Sequence, residues 1–546
     1  MAGPARHHSI AWGPLTMLRS LALLLSLTLS GSVAAAASPR SLIGVNYGSL
    51  LSSTPLAYSV VVDLMQKNGF SKVKLFDTNS GVLSALAGTG IEVMVAAPNG
   101  ELPNLAANVS YASSWLAANV KPHLGVGFLA GANITCIAVG NEALNPYLYG
   151  TKYVGLVYPA MNNLLMALQA AGLDGTIKLT IPLEPTILTD LSFQPPSDGA
   201  FRPGVQAELQ KILALLDKSG SFFTANVYPY LHMGSDGLGT DIPLELILFR
   251  ENGSYVDSGT GLRYTNAFDM GVDAFVSAIK AAGYPNLEVN VGEAGWPTDG
   301  APTATPALAR EFNQALVQHL INSPGTPLRP GKQVTTYFFE LLDEDQKDVS
   351  SGIFFERHWG LFTETGVAKY ALDLTGASSG TLVSASPKLL PTQWCVARTG
   401  VLVKDLLAAI QYACYEGGAD CTPLQPGGSC YGNNSTLLHA SYAFNTYYQH
   451  HQQGDNTCNF DGVATVTQRD PSTGTCAFRL GLDGSSIASA TPSGGIIGTT
   501  QPPVSSTGDE GSVADQTGGS GKGATLRWTA LIVPAIAGLV FGGVVG

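Results

Sequence analysis

Two glutamates close apolar runs. Glu142 ends "ITCIAVGNE", and Glu293 stands in "LEVNVGEAGWP", where Leu287, Val289 and Val291 keep a strand-like alternation. A carboxylate at the end of a buried strand is costly to desolvate unless it is paired or used. Alone, each is most simply a salt bridge or a helix cap. Facing each other over a cleft, the two do something else. One protonates a leaving oxygen while the other attacks a sugar carbon, which is the two-carboxylate chemistry of glycoside cleavage.

That pairing needs elements to bring the two together. Between Ser41 and Tyr370 there are eight apolar runs: "LIGVNYG", "KVKLFD", "IEVMVAAPN", "ITCIAVGNE", "IKLTIP", "FFTANVYPY", "LEVNVGEAGWP" and "VTTYFFELLDE". Longer stretches separate them, several with helical spacing, such as "YVGLVYPAMNNLLMALQAAG" and "AFDMGVDAFVSAIKAAG". Apolar strands alternating with helices predict a parallel sheet covered on its faces. Eight such units in about 330 residues fit an α/β fold of the (β/α)8 TIM-barrel type. A doubly wound sheet is the alternative, but its phosphate loop is missing. "GVGFLAG" has the wrong spacing, and "GSGKGAT" lacks the first glycine and the Ser/Thr after Lys. In a barrel the fourth and seventh strands end on one face, opposite each other, so Glu142 and Glu293 meet at the mouth.

The composition, 45% hydrophobic and 12% charged, supports a sizeable core, and the formal charge of −12 argues against nucleic acid or an anionic membrane surface as partner. Residues 1–37 read as a signal peptide: Arg19, the run "LALLLSLTLS", then small residues up to Ala37. An uncleaved anchor is the rival reading. Residues 521–546 end in an apolar stretch with no basic segment after it, the pattern of a GPI signal whose tail is removed. Gly518 and Ser520 are the candidate attachment sites, and a plain transmembrane helix is the alternative. Between these ends the expected divisions are a barrel over 38–375, a linker over 376–392, a small module over 393–482 and a Ser/Thr/Gly/Pro-rich stalk over 483–520. The stalk composition cannot bury enough apolar surface to fold.

Six of the seven cysteines lie in the module: Cys395, Cys414, Cys421, Cys430, Cys458 and Cys476. They read as a disulfide framework, with 15 possible pairings. Cys136 is left over, in an apolar run that suits a buried thiol. Glycosylation sequons stand at Asn108, Asn133, Asn252, Asn433 and Asn434. His450 and His451 are adjacent and no H-E-x-x-H occurs, so no metal site and no cofactor are expected.

"VGNE", "EAGWP", "NVYPY", "LLDEDQK" and "ERHWGLF" together resemble the plant family 17 glycoside hydrolases, the β-1,3-glucanases, over about Leu42 to Leu374. The long insert "LILFRENGSYVDSGTGLRYTNAFD" belongs to the same likeness. The resemblance implies Glu142 as general acid/base and Glu293 as nucleophile of a retaining reaction. Asn141 is then placed for the sugar 2-hydroxyl, and Tyr228 steadies the nucleophile. Glu344, Lys347 and Glu356 match a cluster that lines the family's cleft, although the spacing of Glu344 and Lys347 also suits a local ion pair. Trp296 reads as a platform under a sugar ring or as packing for its turn. Tyr47 and Phe76 are further cleft candidates. Asn46 stands where many relatives carry Cys, and Trp359 where they often carry Phe.

"QWCVAR", "AAIQYACYEGGADC", "PGGSCYGNN", "HASYAFNTYYQ" and "NTCNFDGVATVTQRDPSTGTCAF" resemble the plant X8 module, carbohydrate-binding family 43. A mainly helical, disulfide-held fold and β-1,3-glucan binding are what that implies. Candidate aromatics are Trp394, Tyr412, Tyr431, Tyr442, Phe444, Tyr447 and Tyr448. The resulting expectation is a monomeric endo-β-1,3-glucanase acting on callose. A GPI lipid would hold it in the outer leaflet of the plasma membrane, with plasmodesmata or the wall as further locations by resemblance. A glucan transglycosylase and a non-catalytic callose-binding wall protein are the alternatives. As a tether the module would raise local substrate concentration, and its loss would leave short soluble substrates little affected.

Overall fold

The computed structural model describes residues 1, 3, 42–48, 52–125, 130–233, 242–323, 325–376, 380–433 and 435–487. The expected signal peptide beyond Met1 and Gly3, the GPI tail, Gly518, Ser520 and nearly all of the stalk lie outside the described residues.

Nine short strands form one parallel sheet among the described residues. They are β1 (Ile43–Tyr47), β2 (Lys72–Leu75), β3 (Glu92–Ala97), β4 (Asn133–Val139), β5 (Lys178–Thr180), β6 (Pro182–Leu183), β7 (Phe223–Asn226), β8 (Val289–Ala294) and β9 (Thr336–Phe338). Their order is β5-β4-β3-β2-β1-β9-β8-β7-β6. The two outer strands, β5 and β6, are separated in the chain only by Ile181, so the sheet closes on itself into a barrel. The eight apolar runs are all present, and the fifth is split at Ile181. Val45, Val73, Val93, Ile137 and Val291 are fully buried, as a strand covered on both faces requires.

Helices cover the outside: α1 (Tyr58–Lys67), α2 (Val109–Asn119), α3 (Val157–Ala170), α4 (Pro203–Lys218), α5 (Ala267–Ala281) and α6 (Pro306–Asn322). Side-chain caps start several of them. Asn108 Oδ1 accepts from Tyr111 N at α2, and Asn266 Oδ1 from Asp269 N at α5. The helical spacing predicted from Tyr153 begins only at Val157, because Gly155 sits at φ +85°, outside the helical region.

The module pairs β10 (Trp394–Ala397) with β11 (Ala464–Thr467) in an antiparallel ribbon beside α7 (Val403–Gln411) and α8 (Thr436–His450). Its small core includes Cys395, Leu406, Ala440, Phe444 and Tyr448. Disulfides join Cys395 to Cys458, Cys414 to Cys421 and Cys430 to Cys476, which selects one of the pairings left open above. So small a core needs such cross-links to persist.

Two segments that composition marks as linker and stalk are held down. Val383 N–H donates to Asn68 Oδ1 at 2.8 Å, and Ala385 N–H donates to Gly366 O at 2.8 Å. Past the expected stalk start, Ala57 N–H donates to Ser486 O at 2.8 Å, and Ile487 bridges Leu56. Backbone bonding to the barrel orders these residues, which few apolar side chains would do alone.

Candidate active site

The chain leaves β4 through Gly140 at φ +80° and Glu142 at φ +51°. A left-handed non-glycine residue costs about 1–3 kcal/mol and persists only where its surroundings fix it. Here they do. Glu142 N–H donates to Pro182 O at 2.9 Å, and Asn145 N–H donates to Glu142 O at 2.9 Å. Asn99 bonds both sides of Asn141, accepting from its N–H at 2.9 Å and donating to its carbonyl at 2.8 Å. The strained turn directs the Glu142 carboxyl inward, where Asn226 Nδ2 donates to its Oε1 at 2.7 Å.

Glu293 lies within β8, where the register against β7 shifts between Val291 and Glu293. Such an irregularity re-aims a side chain at a barrel rim. Both oxygens of Glu293 have donors: Lys74 Nζ to Oε1 at 2.7 Å and Tyr228 Oη to Oε2 at 2.6 Å. Asn46 ties β1 to this point, its amide donating to Gly292 O at 3.0 Å and Phe338 O at 3.2 Å. Gly292 has to be glycine, since a Cβ there would lie 2.6 Å from Thr224 Cγ2.

Glu142 and Glu293 line one pocket with Phe76, Asn141, Tyr228, Leu231, Phe339, Lys347, Glu356 and Trp359. Burial holds the Glu142 carboxyl well above the usual range, reinforced by the charges of Glu293 and Glu184. The Asn226 hydrogen bond and the Lys74 charge pull the other way and do not prevail. Burial lowers Lys74, and the Glu293 carboxylate opposes that. Glu356 is pushed up to about 7, chiefly by burial, against the nearby Lys347 ammonium. Burial alone would lower Lys347, but Glu340, Glu344 and Glu356 outweigh it and raise it. The site therefore holds one carboxyl built to keep its proton and one bonded to an ammonium and a phenol. That division suits an acid and a nucleophile.

Of the residues selected from sequence, Asn141, Glu142, Tyr228, Glu293, Lys347 and Glu356 line this pocket, with Phe76 beside them. Glu344 does not line it. Its Oε2 stands 3.1 Å from Lys347 Nζ, so the local pair forms, and Glu340 joins the same ammonium at 3.4 Å. Two substrate contacts are corrected. Trp296 is fully buried, its indole N–H donating to Thr303 O at 3.0 Å and its ring packed on Tyr230 and Phe312, so it holds its turn and offers no platform. Tyr47 is likewise buried and lies outside the pocket lining, next along β1 to Asn46, whose amide reaches across the barrel, so that its own side chain takes the opposite face of the strand. The aromatic walls are instead Phe76, Tyr228, Phe339 and Trp359. Sequence reasoning passed over Lys74 and Asn226. A signal existed for Lys74: a lysine two positions before the end of an otherwise apolar strand segment, "VKLF", needs a buried partner.

In the module, Trp394, Phe444 and Tyr448 are core residues. Tyr412 and Tyr431 are exposed, and Tyr415, not singled out from sequence, is 81% exposed. Asn108, Asn133 and Asn252 are exposed. The α2 cap uses Asn108 Oδ1 and leaves the amide nitrogen that a glycan would take. Asn434 and the Asn433 side chain lie outside the described residues. Cys136 is buried and free, its thiol pushed up by burial.

A barrel with two buried carboxyls in one mouth pocket defines a protein of the glycoside hydrolase class. The family described as "Glycosyl hydrolases family 17" matches residues 43–374, and the X8 domain matches residues 393–465. This chain belongs to glycosyl hydrolases family 17 and carries an X8 domain. It is 39% identical over 440 residues to glucan endo-1,3-beta-glucosidase 5 of Arabidopsis thaliana, covering 80% of this chain and 88% of that one. It is 36% identical over 451 residues to the glucan endo-1,3-beta-D-glucosidase of Olea europaea, covering 82% and 95%. Among solved structures, CJP38, a beta-1,3-glucanase and allergen of Cryptomeria japonica pollen, superposes with a TM-score of 0.56 at 36% identity, covering 61% of this chain and 98% of that one.

Proposed function

We propose that this chain is a retaining endo-β-1,3-glucanase whose appended module binds the same polymer. One observation carries the reading: Glu142 and Glu293 share a buried pocket, and of the two Glu293 is the one bonded to an ammonium, from Lys74 at 2.7 Å. Its relatives bear the name of that activity.

In the first step Glu142 gives its proton to the glycosidic oxygen. A Glu293 oxygen attacks C1 as the C1–O bond breaks, forming a glycosyl ester and releasing the chain on the aglycone side. Esterification removes the negative charge of Glu293, one of the causes that raise Glu142. Glu142, left as a carboxylate when it gave up its proton, can therefore stay ionised, and it takes a proton from the water that attacks C1. Glu293 leaves as a carboxylate and Glu142 is again protonated. Tyr228 and Lys74 hold the nucleophile's two oxygens throughout. Asn141 and the wall of Phe76, Phe339 and Trp359 are the sugar contacts.

Callose is the substrate this reading favours. The chain would act at the cell surface as a monomer held by a GPI lipid, supported by the N-terminal apolar run, the C-terminal apolar tail and the module's disulfides. Incubating the secreted, tail-less protein with β-1,3-glucan and with mixed-linkage glucan, and sizing the fragments, tests it. Short internal fragments from β-1,3-glucan are expected. Products longer than the starting oligomer would replace hydrolysis with transfer. In the same assay Glu293→Gln should lose about 10⁴-fold in turnover and keep its binding to insoluble glucan.

A further inference from the structure

The module is bonded to the segment that forms one wall of the catalytic pocket. A short 3-10 turn, Phe354–Arg357, carries Glu356 and leads to Trp359, both of which line the pocket. The two residues between them, Arg357 and His358, reach the module. Arg357 Nη1 donates to Asp420 Oδ1 at 2.9 Å, and His358 Nε2 is 2.7 Å from Thr422 Oγ1. Asp420 Oδ1 also accepts from Thr422 Oγ1 at 2.8 Å, so the two contacts form one network. The Cys414–Cys421 disulfide closes the loop that presents it.

The network continues inward. Arg357 Nε donates to Lys347 O at 2.8 Å, and the ammonium of that lysine stands in the pocket 3.9 Å from Glu356 Oε2. A second contact reaches the loop after Glu293. There Asp299 Oδ1 accepts from Ser429 N at 2.8 Å. Backbones touch at the same seam, where a Cβ on Gly427 would lie 2.8 Å from Ala301 Cα, and within the barrel the two loops meet, since a Cβ on Gly300 would lie 2.5 Å from Phe355 N. Farther out, Arg479 Nη1 pairs with Glu364 at 2.8 Å. The module is thus bonded to the loop following β8, just past Glu293, and to the loop following β9, which bears Phe339, Lys347, Glu356 and Trp359 of the pocket.

We propose that the X8 module positions the active site. Asp420 and Thr422, through Arg357 and His358, fix the Glu356–Trp359 wall and the Lys347 backbone against the bound sugar. They are positioning residues and touch no substrate. The inference rests on the glucanase reading and departs from a pure tether. A tether acts only on polymers long enough to reach the module, whereas a positioned wall acts on every substrate. The module's own fold is held by three disulfides, none of which depends on the Arg357–Asp420 contact.

The test uses the full-length secreted chain and a soluble β-1,3-linked glucopentaose, with the glucan binding of each variant's module measured alongside. Asp420→Ala should lower kcat/KM on the pentaose about tenfold, with more of the loss in KM than in kcat, because the displaced wall contacts sugar and not the reacting bond. Asp420→Asn, which keeps acceptors for Arg357 and Thr422, should recover most of it. Thr422→Val provides an independent break at His358 and should show a smaller loss of the same kind. Retained binding of each variant to insoluble glucan certifies a folded module. Pentaose kinetics equal to those of the unaltered chain, or a loss confined to the polymer, would overturn the proposal. An unaltered chain inactive on the pentaose and the polymer alike would instead remove the glucanase reading, and this inference with it.

Discussion

Lys74 and Glu293 form a buried ion pair across the barrel mouth, Nζ to Oε1 at 2.7 Å, with both side chains about 5% exposed or less. It joins the second strand of the sheet to the nucleophile candidate. Removing one member of such a pair leaves an uncompensated charge, at about 3–5 kcal/mol. The lysine therefore holds the carboxylate in place and also biases its neighbour, since its charge opposes the rise of Glu142.

Lys74→Met should reduce kcat about 100-fold and lower the melting temperature. Lys74→Arg, which keeps the charge, should lose less on both counts. Steady-state kinetics on β-1,3-glucan with parallel thermal melts check this. Equal kcat for the Met variant and the unaltered chain would remove Lys74 from the site.

The alkaline limb of the pH–rate profile should follow Glu142. As general acid it must be protonated, so activity is lost as pH rises through its elevated pKa. The Asn226 hydrogen bond favours the ionised form. Replacing Asn226 with Leu removes that bond and should move the limb to higher pH. A move to lower pH would contradict the stated cause.

Glu184 gives a stability signature. Its carboxyl accepts hydrogen bonds from Thr186 N and Oγ1, yet burial pushes it up to about 7 from 4.5. A carboxyl raised on folding binds its proton more tightly in the native state. Its contribution is therefore most favourable below about pH 4.5 and declines as pH rises toward 7. Glu184→Gln cannot titrate, so its melting temperature should fall less than that of the unaltered chain across this window. Parallel melting curves at the two pH values decide it.

Tyr415 is 81% exposed on the module, and Tyr412 and Tyr431 are also open to solvent. An exposed ring offers its face to sugar C–H groups. Tyr415→Ala should weaken binding to insoluble β-1,3-glucan about fivefold and leave turnover of a short oligomer unchanged. Depletion assays on the Glu293→Gln background measure this without hydrolysis. Undiminished binding would place the glucan face elsewhere on the module.

The eight apolar runs were legible because a strand buried on both faces must be apolar along its length. The Glu142 and Glu293 candidates were legible because carboxylates interrupt those runs at their ends. Composition and terminal patterns likewise marked the module and its cysteines. Pairings between distant positions were not legible: Lys74 with Glu293, Asn226 with Glu142, Arg357 with Asp420, and one disulfide set out of many. The first three join residues far apart in the chain and depend on barrel closure or on the docking of the module, and the disulfide set depends on how the module itself folds. Trp296 shows the same limit at short range. Its neighbours in the chain permit either a platform or a packed ring, and only Tyr230 and Phe312, brought in by folding, bury it. Local pattern follows from burial along one element. Partnership follows from the approach of separate elements in space, which tertiary structure alone decides.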